Sequence, residues 1–154
     1  MWTLDADPVD ITAAIDDRGN DVDTNSALTV TLDRDGDRVL STVAVTGDGN
    51  DPEPTEGLVV WGTEGHVSYL DGRLRIAETD APEYTADVDQ ATFEEITETK
   101  LRAFVEAVRN GSPSPVPPEF GATVTAVTEA AYEAAETGRR VPVPSLRDRQ
   151  SVQQ

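Results

Sequence analysis

The chain has no cysteine, a single lysine (Lys100), a single histidine (His66) and a single methionine among its 154 residues. The missing cysteine excludes disulfides and thiolate metal sites, and fits an intracellular, cytoplasmic protein. Aromatic residues are only 5% of the chain. Trp2, Trp61, Tyr69, Tyr84 and Tyr132 are therefore the candidates for stacking on a ligand, although packing in a core or an interface is the commoner use of such residues. No stretch approaches the ~18 consecutive apolar residues of a membrane span, and the opening MWTLDADPVD has neither the basic nor the apolar region of a secretory signal. Positive charge is also scarce: 12 basic residues face 30 acidic ones, for a formal charge of −18. A surface of that sign repels nucleic acid and anionic membrane, so neither is expected as a partner. The 37% of apolar residues fall into regular patterns, which argues for a folded chain and against acidic disorder.

What is present reads as strands followed by helices. Val9, Ile11, Ala13 and Ile15 alternate with polar or small residues, the period of a half-buried strand. Leu28, Val30 and Leu32, then Val39, Ser41, Val43 and Val45, flank the turn Asp33 to Asp37 and predict a β-hairpin. Its apolar set should face the helices. The other set, Thr29, Thr31, Leu40, Thr42, Ala44 and Thr46, is almost uncharged. The acidic, breaker-rich segment 46–57 predicts an exposed loop and lacks the residue order of an EF-hand. Leu58–Trp61, His66–Leu70 and Arg73–Ile76 predict a three-stranded meander closed by Gly62-Thr63-Glu64-Gly65 and Asp71-Gly72, and Tyr84, Ala86 and Val88 an edge strand. Thr92 and Glu95 have capping-box spacing. They lead into a helix whose Leu101, Phe104, Val105 and Val108 share one face and which stops at Asn110-Gly111. A second helix starts near Pro118, carries Phe120, Val124, Val127 and Ala131 as its stripe, and ends at Thr137-Gly138. Val141-Pro142-Val143 can reach a sheet edge but not its centre. The expectation is one α+β domain over 1–144, a mainly antiparallel sheet with two C-terminal helices packed on one face, followed by a polar tail over 145–154.

Chemistry-bearing patterns are sparse. The Gly-x-Gly-x-x-Gly fingerprint that lets backbone amides approach a dinucleotide pyrophosphate is missing, so no nucleotide-binding domain is read here. Gly47-Asp48-Gly49 has no following helix. Gly62 to Gly65 sits between strands as a turn, and Glu64 would repel an anion. His66 has no second titrating residue nearby in sequence and reads as a strand residue. Asp16-Asp17 and Glu94-Glu95 resemble acid/base pairs, but among 30 carboxylates they are expected as solvated surface. No catalytic, cofactor-binding or metal-ligating residue is assigned.

The helix, small-residue loop, EAAYEAAETG helix and Val-x-Val strand from Thr99 to Val143 resemble the end of the Gfo/Idh/MocA oxidoreductases, the glucose-fructose oxidoreductase and inositol dehydrogenase family. LVVWGTEGHVSYLDGRLRI resembles the strand, turn and strand before those helices, and Trp2 to Ile15 the run after the family's substrate-binding helix. The resemblance covers most of the chain and always the family's C-terminal domain. It implies a stand-alone substrate-side and assembly domain of an NAD(P)-dependent sugar or polyol oxidoreductase, not catalytic alone, that forms homo-oligomers through its sheet. The family's Glu-Lys-Pro segment and Asp-x-x-x-His helix have no counterpart here, so none of its catalytic residues is carried over. NAD(P) is implied only for a full-length relative or a separate nucleotide-binding subunit. A split oxidoreductase, a carbohydrate-binding module and a truncated-gene remnant are the alternatives.

The charge balance generates one expectation directly. Molar salt screens repulsion to about 3 Å, whereas at 0.01 M it extends to about 30 Å, so an acidic surface of this density suits a salty milieu. Circular dichroism melts from molar down to millimolar KCl should show a falling midpoint. An unchanged midpoint would mean that the acidity is no salt adaptation.

Overall fold

The computed structural model of the chain describes residues 4–47, 49, 56–89 and 91–145. Trp2, most of the acidic loop 46–57 and the tail beyond Ser145 lie outside the described residues. The elements run β1 (Asp7–Asp16), β2 (Asn25–Arg34), β3 (Asp37–Thr46), β4 (Gly57–Trp61), β5 (Gly65–Leu70), β6 (Arg73–Glu78), β7 (Tyr84–Asp87), α1 (Phe93–Asn110), α2 (Pro118–Thr137) and β8 (Val141–Pro142). They fall into two compact units, Met1–Asp48 with Pro115–Gln154, and Gly49–Ser114. Every strand pair is antiparallel, so the chain is α+β as its pattern predicts, with its strands divided between two four-stranded sheets.

The first unit is a sheet of order β3-β2-β1-β8 with α2 against β1 and β8. Asp35 and Gly36 both have positive φ (54° and 92°), which a two-residue turn needs if its twist is to match the strands of a hairpin. That turn fixes the register, Leu28 opposite Val43 and Leu32 opposite Val39. In β1 the pairing slips between Pro8 and Asp10, and the extra residue, Val9, is left 43% exposed. Past the bulge the regular alternation turns Ile11 inward with Ala13 and Ile15, and Ile11 is fully buried among Val30, Leu32, Val141 and Val143. Val9 still contributes, because its carbonyl accepts from Val143 N–H at 2.9 Å. As expected, β8 is an edge strand, and Pro142 there has no N–H to withhold from a central ladder.

The stripe of α2 differs from its sequence pattern. The buried positions are Ala126, Ala130, Ala131 and Ala134, with Val127 partly buried beside them and Val124 41% exposed. Small side chains let the helix axis come close to a sheet already filled by Ile, Val and Leu, whereas a valine stripe would hold it further away. Because the helix covers β1 and β8, Val43 and Val45 on the outlying β3 stay 42% and 59% exposed although they point to the helix side. On the opposite face Thr31 is buried at 6%, between Asp10, held by Arg140 at 3.5 Å, and Leu40, 67% exposed.

The second unit holds the meander β4-β5-β6-β7 and α1. The expected edge strand at Tyr84 is its fourth strand. Asp71 and Gly72, again with positive φ, close the β5–β6 turn. The register places Leu58, Val60, Val67, Tyr69, Leu74, Ile76, Tyr84 and Ala86 on one face, and Trp61, His66, Ser68, Arg75 and Thr85 on the other. The capping box of α1 forms as its spacing predicts: Thr92 Oγ1 accepts from Glu95 N–H while the Glu95 carboxylate accepts from Thr92 N–H at 2.8 Å. That backbone bond, with the Thr92 hydroxyl, holds the Glu95 carboxyl below its ordinary range. Gly111 ends the helix in the left-handed conformation. The stripe of Leu101, Phe104, Val105 and Val108 forms on one face and remains 42% to 66% exposed. Among the described residues no helix is long and apolar enough to cross a membrane.

Candidate functional site

Local bonding accounts for the acidic pairs. Asp16 and Asp17 accept from Arg18 N–H at 3.0 Å and Gly19 N–H at 2.7 Å, turning the chain after β1, and Glu95 belongs to the helix cap. Gly62 N–H donates to Gly65 O at 2.8 Å, so the Gly62–Gly65 segment spends that amide on its own turn. Gly65 is required for another reason: a Cβ there would lie 2.1 Å from Ala77 O, too close for any side chain between β5 and β6. Among the described residues no cluster of three or more His, Cys, Asp or Glu could hold a metal ion.

One group of chemistry-bearing side chains is brought together that sequence proximity hides. Trp61 and His66 are register partners, with ring centroids 4.5 Å apart and planes tilted by 33°. Trp61 is 76% exposed. Across β6 from His66 stands Ala77, and one step along the same face is Arg75, whose Nη2 donates to Glu83 Oε2 at 2.6 Å. Glu83 immediately precedes Tyr84, which pairs with Ile76. The Arg75 hydrogen bond is the main reason that the Glu83 carboxyl sits below its ordinary range, and the nearby His66 adds to it. On this face the register therefore runs Trp61, His66 and Ala77, with Glu83 just before β7. His66 also lines an open cleft of about 860 Å³ with Val60, Glu64, Ile76, Glu78 and Asp80. The two-residue Asp71-Gly72 turn already implied Ser68 opposite Arg75 and His66 opposite Ala77. Nothing in the sequence marked Glu83, which reaches the group from the loop before β7.

Residues 23–143 match the family model described as the oxidoreductase family, C-terminal alpha/beta domain. The chain belongs to the Gfo/Idh/MocA family. No curated protein matches it in sequence. Among solved structures, levoglucosan dehydrogenase in complex with NADH and L-sorbose is similar at 16% identity and a TM-score of 0.77, over 91% of this chain and 46% of that one. Aldose-aldose oxidoreductase from Caulobacter crescentus complexed with glycerol is similar at 18% identity and 0.70, over 89% and 42%. An oxidoreductase from Agrobacterium radiobacter in complex with NAD+, L-tartaric acid and magnesium is similar at 21% and 0.70, over 89% and 44%. This Gfo/Idh/MocA domain therefore spans less than half the length of those proteins.

Tyr132 has a structural role in this Gfo/Idh/MocA domain. Tyr132 on α2 donates its hydroxyl to Asp23 Oδ1 at 2.7 Å, and Ser26 donates to Asp23 Oδ2 at 3.1 Å, tying the loop after β1 to the helix. The Tyr132 bond is the chief cause of a lowered Asp23 carboxyl, and Asp23 in turn raises the Tyr132 phenol. Asp23, lowered from its ordinary value of 3.8, contributes stability that is complete above that value and is lost as pH falls through the lowered one. Tyr132, raised from 10.0, contributes stability that is complete below that value and is lost as pH rises through the raised one. In Tyr132→Phe, the Asp23 carboxyl followed by carbon-13 NMR should titrate higher, toward the ordinary aspartate value, and amides of residues 17–24 should exchange faster. An unmoved Asp23 titration would show that the hydrogen bond is not formed in solution.

Proposed function

We propose that this domain is the substrate-side and assembly half of a sugar or polyol oxidoreductase, acting with a nucleotide-binding domain carried elsewhere, and not a catalyst by itself. The observation that carries this reading is the family match over residues 23–143 in a sequence without the glycine fingerprint that holds a dinucleotide pyrophosphate. NAD(P) then belongs to the partner domain, whether that is a separate subunit or another part of a longer polypeptide. An acidic surface reinforces this, because it repels pyrophosphate. Titration calorimetry of the chain with NADH and NADPH in concentrated KCl should give no saturable isotherm. A micromolar isotherm with one site per chain would refute the reading.

Assembly through the first sheet is the second part of the proposal. Thr12, Ala14, Ala27, Thr29, Thr42 and Ala44 line a shallow hollow of about 420 Å³ on the face turned away from α2, and Leu40 beside it is 67% exposed. The lining of this hollow carries no charge on a chain of formal charge −18, which suits contact with a second copy, since charge is depleted at interface cores. Sedimentation equilibrium in molar KCl should give a multiple of the chain mass, and Thr42→Arg or Leu40→Glu should shift it toward monomer with the melt preserved. A parent chain that sediments as a monomer at tens of micromolar would rule this assembly out.

A further inference from the structure

The edges of the two sheets differ in how they are defended against further strand pairing. β8 is two residues long and carries Pro142, and β4 and β7 have five and four residues. The remaining edge, β3, runs for ten residues. It keeps unbroken register with β2, has no residue of positive φ, and contains neither proline nor lysine. Shortness, proline, bulges and lysine are the devices that stop an edge from accepting another strand, and β3 has none of them. Past Arg38 the run Val39–Thr46 carries no charge either. The ladder fixes which backbone groups meet this edge. Thr46 pairs with Asn25, and one step further Gly47 N–H donates to Thr24 O at 2.7 Å. Antiparallel pairs alternate between bonded and non-bonded, so Val39, Ser41, Val43 and Val45 bond inward to β2, while Leu40, Thr42 and Ala44 aim N–H and C=O outward. Among the described residues no backbone group bonds those three from outside.

We propose that β3 pairs antiparallel with β3 of a second copy, edge to edge, joining two four-stranded sheets into one about a two-fold axis at Thr42. A two-fold axis perpendicular to the sheet sets residues of the same face opposite each other, because side chains alternate with period two. With Thr42 on the axis, Leu40 stands opposite Ala44 of the second copy and Thr42 opposite its own counterpart, as hydrogen-bonded pairs. Ser41 opposite Val43 and Val39 opposite Val45 are the non-bonded pairs between them. The outward amides and carbonyls of Leu40, Thr42 and Ala44 then satisfy one another. An axis at Ser41 would set Val45 against Asp37 and Ala44 against Arg38. The axis at Thr42 instead pairs the uncharged run Val39–Val45 with itself and leaves both charged residues outside it. This self-complementarity selects a second copy over an unrelated strand. The pairing also covers side chains that α2 does not reach: Val43 and Val45, 42% and 59% exposed on the helix side, and Leu40, 67% exposed on the other. Two chains of formal charge −18 repel each other, so the contact strengthens with salt. It uses a sheet edge and not the face hollow, and the two contacts can coexist in an assembly with more than one two-fold axis.

Isotope-filtered NOESY on an equimolar mixture of carbon-13-labelled and unlabelled full chains in molar KCl tests this. An intermolecular cross-peak between the Hα protons of Ser41 and Val43 is expected, since a non-bonded antiparallel pair brings its Cα atoms to about 4.5 Å. The amides of Leu40, Thr42 and Ala44 should exchange more slowly at high chain concentration than at low. Ala44→Pro deletes one outward N–H from each copy and none from the ladder with β2, and Val43 before it is already extended, as a residue preceding proline prefers. It should abolish the cross-peak and raise the dissociation constant of the edge contact about tenfold or more, with the circular dichroism spectrum kept. Ala14→Arg, on β1 two strands from the edge, charges the face hollow and should leave the cross-peak in place, which separates this contact from face-to-face assembly. The proposal is overturned if the parent gives no cross-peak at about 1 mM chain, or if the cross-peak is lost in Ala14→Arg or survives Ala44→Pro. It is also overturned if the three amides are equally protected at every concentration, which would mean that another part of the same chain covers the edge. The cross-peak and the concentration dependence are read on the parent chain, so they decide the matter even if Ala44→Pro fails to fold.

Discussion

The close approach of α2 to β1 is the contact on which the first unit depends. Ile11 is the largest side chain that the described residues bury completely, and it reaches that position in the regular alternation that follows the bulge at Val9, where it pairs with Val30. The alanines at 126, 130 and 134 then let the helix backbone settle over it. Alanine is also the residue of highest helix propensity, so the face that packs best on the sheet is also the one that most favours the helix. Replacing one of these alanines with a larger side chain would push the helix away from Ile11 and loosen the edge strand β8, which the chain reaches directly from the end of α2.

The second unit is held by other means. Its described residues form no buried cluster comparable to that of the first, and its order comes from strand register. Gly65 admits the close passage of Ala77, Asp71-Gly72 fixes the β5–β6 pairing, and exposed ion pairs such as Arg75–Glu83 tie the loop before β7 to the sheet. Pairs as exposed as these contribute little stability, so their spacing is better understood as local positioning. The face with Trp61, His66 and Arg75 is displayed by backbone hydrogen bonds, and none of those side chains belongs to the buried core.

Charge acts on the whole chain and not on any one contact. The excess of carboxylates is spread over turns, caps and loops, and many of them make defined local bonds. Asp16 and Asp17 do so in a turn, Asp23 under Tyr132, and Glu95 in a cap. The uncharged centre of the outer face of β1–β3, bounded by Asp10, Asp16, Asp33 and Arg38, stands out against this background, as does the apolar face of β4–β7. Both follow from strand alternation, which collects threonine and alanine on one side of the first sheet, and valine, leucine and isoleucine on one side of the second.

Much of the architecture was legible because it is locally encoded. Turn dipeptides with positive φ, a capping box, left-handed glycines at both helix ends and period-two alternation each act within a few residues, so the strands, both helices and the edge position of β8 could be read in order. The family, too, was carried by a local pattern, the pair of helices and the strand after them. What only the tertiary structure decided depends on distance. Whether valines or alanines line the buried side of α2 follows from how near β1 lies, and the bulge at Val9 is visible only against its partner strand. Glu83 joins His66 and Arg75 because two turns fold separate segments onto one face. Residues far apart in the chain meet through register and packing, and a linear pattern specifies neither until the partner strand is in place.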